Sequence, residues 1–375
     1  MSLSQEEITY YDRQLVLNGF GTAAQLKLKN ASVAIVGVGG LGCPAALYLA
    51  ASGVGRIALI DFDTVDVSNL QRQVLYNMQD VGKSKAMLAK LKLEVRNPHI
   101  SITAIESKLT AENAFDLLMA YDYVLDCSDN FGTRYLINDL CVKTDKTFIS
   151  GSIFQYQGQV GVFNAPLSDT SRSATYRCLF PSPPHAMDAP SCDQIGVLGA
   201  VPGFVGTLMA VETVKVITGI GQALIDKYLV FDQYSMQQNT FSYHRDEAEA
   251  KKIKNTPLED DMYYSNLCSI QSADQGVSFE VDASELRKLI RNQEPLVLVD
   301  VRDIREHELL NIGGLSIPLN ELRSRYFEIP RDKKVILYCK MGQRSSEALK
   351  YLQLSKGYSN VYQLTGGIRA YLNSK

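Results

Sequence analysis

Residues 33–73 read VAIVGVGGLGCPAALYLAASGVGRIALIDFDTVDVSNLQRQ, and this stretch decides the fold. An apolar run, Val33–Val36, meets Gly37, Gly39, Gly40 and Gly42. A helical pattern follows over Ala45–Ala51, and a second apolar run, Ile57–Ile60, ends in Asp61. The order is strand, glycine turn, helix, strand, acid, with Asp61 falling 19 residues after Gly42. Glycines so placed allow a tight turn and let the backbone approach a phosphate, whose charge rests at the helix N-terminus. An acid closing the second strand can accept hydrogen bonds from ribose hydroxyls. The pattern predicts a nucleotide site. A ligand-free turn is the plain alternative, and the glycines alone suit NAD equally.

Working outward, 375 residues leave room for two or three domains and a large core. A net charge of −3 supplies no basic field for nucleic acid. Seven Cys are scattered without a C-x-x-C pair, which speaks against a zinc knuckle or a disulfide framework. The N-terminal MSLSQEEITYYDRQ is polar and lacks the apolar core of a signal peptide, so a reducing cytosol is the expected setting. Gln194–Val211 runs 18 residues without charge but carries Pro202, Gly196, Gly199, Gly203 and Gly206. It reads as a buried, closely packed helix rather than a membrane span.

Ser4 and Glu7 form a capping-box pattern opening a helix through about Asn18, with Ile8, Tyr11 and Leu15 on one face and Arg13 off it. After Asp61 comes a polar segment, DFDTVDVSNLQRQ, and then VGKSK, read as entering a helix near Gly82 with Lys83 and Lys85 in its first turn. Cations there oppose the helix dipole, and a nearby triphosphate would relieve the conflict. Tyr123–Asp126 is a short strand running into DCSDN, which places Asp126, Asp129 and Asn130 at its C-terminal end, where open α/β sheets bind ligands. Two carboxylates beside phosphates suit Mg²⁺. A capped turn starting the next helix is the plainer account of DCSDN.

Ala165–Asp193 is a Pro/Ser/Thr-rich loop ending just after Cys192. Strands at Tyr228–Phe231 and Thr240–Tyr243 close a first domain at residue 245. Residues 246–275, with ten Asp, Glu or Lys, read as a linker, which as flexible coil would span about 30 Å. From 276 to 375 strand and helix alternate, as in a small α/β domain with a parallel sheet. Its strand Lys334–Tyr338 runs into CKMGQRSSEALKYL. Cys339 at a strand tip would face curled backbone amides, a helix N-terminus and Arg344, each favouring the thiolate. Four residues separate Cys339 from Arg344, a ring that suits a persulfide sulfur better than a phosphoryl group.

These motifs carry a resemblance. DVR (300–302), NIGGLSIPL (311–319), CKMGQRS (339–345) and GGIRAYL (366–372) are similar to a rhodanese domain, the sulfurtransferase module that carries a Cys persulfide. YDRQ (11–14), GVGGLGC (37–43), DFDTVDVSNLQRQ (61–73), VGKSK (81–85), NPHI (97–100), DCSDN (126–130) and SCDQIGVLG (191–199) resemble the MoeB/ThiF adenylyltransferases, relatives of ubiquitin-activating enzymes. The domain order is that of the fused, MoeZ-like family. The resemblance implies a Rossmann-like adenylating domain with a mostly parallel sheet, followed by a small α/β rhodanese domain.

The resemblance further implies that Gly40 and Asp61 hold ATP, with Asp61 on the ribose. Ser68, Asn69, Leu70, Gln71 and Arg72 would line the phosphates, and Lys85 would neutralise the α-phosphate. Asp129 would hold Mg²⁺ with Asn130 beside it, and Arg13 would act across a homodimer interface. The expected reaction is adenylation of the C-terminal Gly-Gly of a ubiquitin-like sulfur carrier, MoaD/ThiS-like, followed by sulfur transfer from a Cys339 persulfide to give a thiocarboxylate. Cys192 would cleave the acyl disulfide, form a thioester or merely pack. A sulfur donor such as a cysteine desulfurase would load Cys339; neither nucleic acid nor membrane is expected as a partner. Relatives bind zinc through two C-x-x-C pairs. Here Thr175 stands three residues before Cys178 and the second pair, near Tyr243–Ala250, is missing, so no zinc is expected. The rival readings are an NAD-dependent oxidoreductase, a non-enzymatic scaffold for a ubiquitin-like partner, and an adenylating enzyme that conjugates proteins without sulfur transfer.

Overall fold

A computed structural model gives the fold and describes residues 2–167, 170–182, 196–266 and 279–373. The described residues fall into two compact units, 2–266 and 279–373.

The first unit is built on one eight-stranded sheet. Its strands are β1 (Ser32–Val36), β2 (Arg56–Ile60), β3 (Ser101–Ile105), β4 (Tyr123–Asp126), β5 (Thr147–Phe154), β6 (Gln157–Phe163), β7 (Lys227–Asp232) and β8 (Gln237–Ser242). The spatial order is β3-β2-β1-β4-β5-β6-β7-β8. The first five are parallel, as apolar strands alternating with helices require, and β5 to β8 continue as an antiparallel meander. This is the Rossmann-like sheet that residues 33–61 predict. The chain winds one way from β1 through β2 to β3, then returns to place β4 on the other side of β1. That reversal opens a crevice at the carboxyl ends of β1 and β4.

Every residue of β1 is buried because both faces of the sheet are covered. Val33 and Ile35 join a cluster with Leu49, Leu59, Val205 and Met209, whereas Ala34 and Val36 face Tyr135, Ile137 and Phe148. The uncharged stretch folds as the helix Ala200–Thr218, long and apolar enough to cross a membrane by length alone. Its residues Val201, Val205 and Met209 are buried in this core. A β-carbon on Gly206 would sit 2.2 Å from the Leu41 carbonyl oxygen and one on Gly199 2.1 Å from that of Gln71, whereas Gly196 and Gly203 meet nothing within 4 Å, so close packing accounts for two of the four glycines.

Three local readings change. The opening helix has its Ser4–Glu7 capping box but runs only from Gln5 to Tyr10, with a second short helix at Asp12–Leu15. Tyr11 interrupts it because its ring is buried, its hydroxyl accepting from Asn97 at 2.8 Å. The helix expected near Gly82 starts at Lys85, capped by Ser84, so Lys83 lies outside its first turn. The charged segment after residue 245 does not run as coil over its described part. Glu247–Asn255 and Asp261–Asn266 are helices of the first unit. They are charged only on their outer faces: Ala250, Ile253 and Tyr264 are buried. Lys143 donates to the carbonyls of Ile253 and Thr256, and the Tyr264 hydroxyl donates to Asp139 at 3.0 Å. Asp139 also takes a two-pronged bond from Arg177, at 2.7 Å on each oxygen.

The second unit is a five-stranded parallel sheet of β9 (Glu280–Val281), β10 (Leu296–Asp300), β11 (Leu315–Ser316), β12 (Lys334–Tyr338) and β13 (Val361–Leu364), in the order β11-β10-β12-β13-β9. Helices Ala283–Arg291, Gln343–Lys350 and Gly367–Asn373 supply further apolar contacts, with Leu286, Ala348 and Ile368 buried.

Residues 246–266 therefore contribute to stability. Tyr264→Ala is expected to cost about 3–5 kcal/mol through the void left by a buried ring, and Tyr264→Phe about 1 kcal/mol through the lost hydrogen bond. Urea unfolding followed by far-UV circular dichroism measures both, and a linker would show neither loss.

Candidate functional sites

At the carboxyl end of β1 the chain turns on Gly37, whose φ of +88° is left-handed. The turn is enclosed by backbone. A β-carbon on Gly37 would lie 2.8 Å from the Cys127 carbonyl oxygen, and one on Gly42 would lie 2.0 Å from that of Gly37. The glycine turn thus rests directly against the DCSDN turn. Asp61, buried at the end of β2, accepts the Val38 N–H at 2.7 Å and the Asp63 N–H at 2.9 Å. Burial pushes its carboxyl up, and those two N–H groups with the Lys85 charge pull against it. Each oxygen retains a lone pair, so a ribose diol can still be bound.

Lys85 is buried and its ammonium lies 3.1 Å from Asp63. Asp63 therefore links the lysine to Asp61 through one backbone amide. Ser68 and Asn69 sit on a short 3₁₀ turn held by Asp66, whose carboxylate takes both the N–H and the hydroxyl of Ser68. Leu70 packs on the core and Gln71 is exposed. Arg72 donates to the Ser68 carbonyl at 3.0 Å, and its Cγ lies 3.5 Å from where a β-carbon of Gly40 would be. The structure thus gathers Gly40, Asp61, Arg72 and the DCSDN turn around one glycine turn, and joins Lys85 to it.

The two acids of DCSDN part company. Asp126 is fully buried, and Arg134 reaches one oxygen at 2.6 Å while Ser128 takes the other. Ser128 gives both its N–H and its hydroxyl, and Ser150 adds a fourth donor at 3.2 Å. This carboxylate is taken up by internal donors, which leaves Asp129 as the exposed acid of the pair. Asp129 is exposed, with no side-chain partner among the described residues. Asn130 caps the helix Phe131–Lys143 through the Thr133 N–H at 3.1 Å, so the plainer reading of that residue also holds. Arg13 points outward, its side chain 96 % exposed and 3.9 Å from Asp12. Cys192 lies outside the described residues.

In the second unit, Cys339 follows β12 directly and is buried. Its sulfur accepts the Gly342 N–H at 3.1 Å and faces the Ser345 hydroxyl at 3.6 Å. Gly342, at φ +101°, bends the loop into the helix Gln343–Lys350. GGIRAYL supports the loop from below: the Ile368 N–H reaches the Cys339 carbonyl at 2.8 Å, and a β-carbon on Gly367 would come within 2.4 Å of it. Arg344 acts on the Cys339 sulfur through its charge, with no hydrogen bond to it among the described residues. Its guanidinium makes a two-pronged pair with Glu306, at 2.5 and 2.9 Å. That cation holds the Glu306 carboxyl below the usual range.

Two residues escaped the sequence reading. Glu306 is one, because nothing in its spacing shows that a residue 38 positions before Arg344 will meet it. Gln73 is the other. It is buried under the glycine turn, with Nε2 3.5 Å from the β-carbon position of Gly39, and its Oε1 has no hydrogen-bond partner among the described residues. It ends the quoted SNLQRQ run, so the motif itself was the available signal.

A nucleotide-type crevice in one unit and a cysteine loop over a parallel sheet in the other define a two-module transferase. Residues 11–254 match the ThiF family and residues 282–374 the rhodanese-like domain. The chain belongs to the ThiF family and carries a C-terminal rhodanese-like domain. It is 40 % identical over 373 residues to the "Probable adenylyltransferase/sulfurtransferase MoeZ" of Mycobacterium tuberculosis, covering 99 % of this chain and 94 % of that protein. It is 36 % identical to "Adenylyltransferase and sulfurtransferase MOCS3" of Drosophila grimshawi, covering 99 % and 85 %. Among solved structures, E. coli MccB with ATP aligns at a TM-score of 0.53 and 25 % identity, covering 65 % of this chain and 71 % of that one. PaaA aligns at 0.56 and 23 % identity, covering 65 % and 76 %, a likeness of fold. Adenylyl transfer uses ATP, so this family membership removes the NAD reading of the glycines.

The split between the acids is measurable. Asp126→Ala, which leaves Arg134 buried and unpaired, is expected to lower stability by about 3–5 kcal/mol. Asp129→Asn should stay within about 0.5 kcal/mol of the parent. Chemical denaturation of the two variants gives both values.

Proposed function

We propose that the first unit adenylates the C-terminal carboxylate of a ubiquitin-like sulfur carrier and that Cys339 then supplies the sulfur. The observation that supports this best is the union, in one chain, of the glycine turn with Asp61, Arg72 and Lys85 and a strand-tip cysteine whose sulfur is held by a loop amide.

A carboxylate is a poor electrophile because oxide cannot leave. Its attack on the α-phosphorus of ATP, with pyrophosphate departing, gives an acyl adenylate whose leaving group is AMP. Lys85 and Arg72 are fixed cations beside the glycine turn and would stabilise the charge that develops on the phosphoryl oxygens. Asp61 would orient the ribose. Asn69, on its 3₁₀ turn, would line the phosphates with Ser68 and Gln71. Exposed Asp129 fits Mg²⁺, which takes one or two carboxylates plus substrate phosphates and neutralises phosphate charge when bound. Arg13, unused on its own chain, would complete the site of a second copy in a homodimer. The exposed Val16, Leu17, Val74 and Met78 offer apolar surface for such a contact.

In the second half, the terminal sulfur of a Cys339 persulfide attacks the acyl carbon and AMP leaves with the bonding pair. The product is an acyl disulfide on Cys339. A second thiolate, for which Cys192 is the candidate, attacks the Cys339 sulfur and releases the thiocarboxylate as a new disulfide forms. A cysteine desulfurase would be a suitable source of the first sulfur. A reducing cytosol suits the free thiols of Cys43, Cys127, Cys141, Cys178 and Cys339.

We propose further that zinc has no place here. The Cys178 sulfur faces the Thr175 hydroxyl at 3.2 Å and accepts the Asp246 N–H at 3.2 Å, joining these chain segments without metal. A single thiol does not make a tetrahedral site. Metal analysis of the purified protein should find zinc far below one per chain, and a chelator should leave Tm unchanged.

ATP–pyrophosphate exchange should depend on a carrier ending in Gly-Gly. Lys85→Ala and Arg13→Ala should each slow it by about 10²-fold. Cys339→Ala should leave exchange intact and abolish the thiocarboxylate, read by mass spectrometry of the carrier. A Cys339→Ala protein that still conjugates the carrier, with no thiocarboxylate formed by the parent either, would favour the reading without sulfur transfer.

A further inference from the structure

The Cys339 loop ends in an arginine that is already occupied. Arg344 presents its fork to Glu306, with both carboxylate oxygens engaged at 2.5 and 2.9 Å. Paired guanidinium and carboxylate carry no net charge, and the planar fork that would otherwise grip an oxyanion is filled. The Glu306 carboxylate has a second hold, on the Asp303 N–H at 3.4 Å. Glu306 belongs to the helix Ile304–Leu309, where it forms the capping box with Asp303. Its neighbour His307 is anchored on buried Asp300 at 3.0 Å, and Asp300 is itself clamped by Arg302. The ion pair is only partly exposed, the two side chains being 25 % and 31 % accessible.

Sulfane sulfur reaches a rhodanese cysteine from two chemical classes of donor. A thiol-borne persulfide gives up its outer sulfur to the Cys339 thiolate: one S–S bond forms, one breaks, and the donor leaves as a thiolate. Thiosulfate undergoes the same displacement and releases sulfite with the bonding pair. Neither transfer needs an added oxidant or reductant. The two differ in what the loop must bind, because the dianion and its sulfite product need a cation at the loop mouth. Here an anion approaching Arg344 meets the Glu306 carboxylate as well.

We propose that Glu306 is a donor-specificity residue: by occupying Arg344 it turns the Cys339 loop away from anionic sulfur donors and leaves it to thiol-borne persulfides. The inference rests on the reading of Cys339 as a persulfide carrier. It assigns Glu306 no contact with substrate; the residue acts through Arg344.

The test is Glu306→Gln in the full-length protein, which keeps a side chain able to complete the capping box and frees Arg344. Sulfur loading of Cys339 is measured as the mass gain of one sulfur atom, with thiosulfate and with cysteine persulfide as separate donors. Thiosulfate turnover to cyanide gives kcat and KM. In E306Q, KM for thiosulfate should fall and kcat/KM rise about tenfold or more, with cysteine persulfide loading unchanged. Adding Arg344→Gln to E306Q should erase that gain. Glu306→Asp, too short for the two-pronged pair, should show a smaller gain in the same direction and serves if E306Q folds poorly. A thiosulfate kcat/KM that stays level or falls in both variants, or a gain that survives in E306Q/R344Q, overturns the assignment. Failure of both donors to load sulfur on the parent protein and on every variant would instead overturn the persulfide reading on which it stands.

Discussion

The Gly37 carbonyl oxygen occupies the space that a side chain on residue 42 would need, and the Cys127 carbonyl occupies the space beside Gly37 itself. Three chain segments, the end of β1, the start of the helix Gly42–Ser52 and the end of β4, therefore meet backbone to backbone. No side chain separates them, so the amides of the turn are offered to whatever enters the crevice. Asp61 completes this arrangement from below. By accepting the Val38 N–H it fixes the turn to β2, and by accepting the Asp63 N–H it draws in the segment that delivers Lys85. Every charged group proposed to act on a nucleotide in this chain is positioned relative to those contacts.

The same unit shows how acids close together in sequence come to different ends. Asp126 and Asp129 lie three positions apart, yet one closes a buried strand and the other stands on an exposed turn. Placing a charge at the end of β4 demands compensation, and Arg134, eight residues on, supplies it from the following helix. Asp129 has no such demand and keeps its oxygens for solvent or a cation. Asp139 repeats the pattern deeper in the unit, where Arg177 and Tyr264 share one buried carboxylate and so bind the segment after residue 245 to the sheet domain. In the second unit Asp300 is treated likewise: burial pushes its carboxyl up, but Arg302 and His307 more than offset this and hold it below the usual range.

The cysteine loop follows a different logic. Its sulfur is served by neutral donors, the Gly342 amide and the Ser345 hydroxyl, while the arginine that closes the ring is paired elsewhere. Backbone amides can follow a sulfur that gains or loses a second sulfur atom, because they carry no counter-charge of their own. A loop built this way selects among donors by what surrounds the sulfur as much as by the sulfur itself.

Much of this was written in local sequence. The glycine turn, the strand pattern of the first sheet, the Cys339 loop and the family resemblance rest on residues near one another in the chain, where steric rules and periodicity act directly. Arg13 off its helix stripe and Lys85 three residues after Gly82 were singled out for the same reason. What sequence could not reach were the pairings made across the fold: Asp126 with Arg134 and Ser150, Glu306 with Arg344, Tyr264 with Asp139, and Gln73 under the glycine turn. The charged run after residue 245 misled because composition counts all faces of a helix together, whereas burial acts on one. Which carboxylate is spent on structure and which is left for chemistry depends on the partners that packing brings within about 3 Å, and only the tertiary structure decides that.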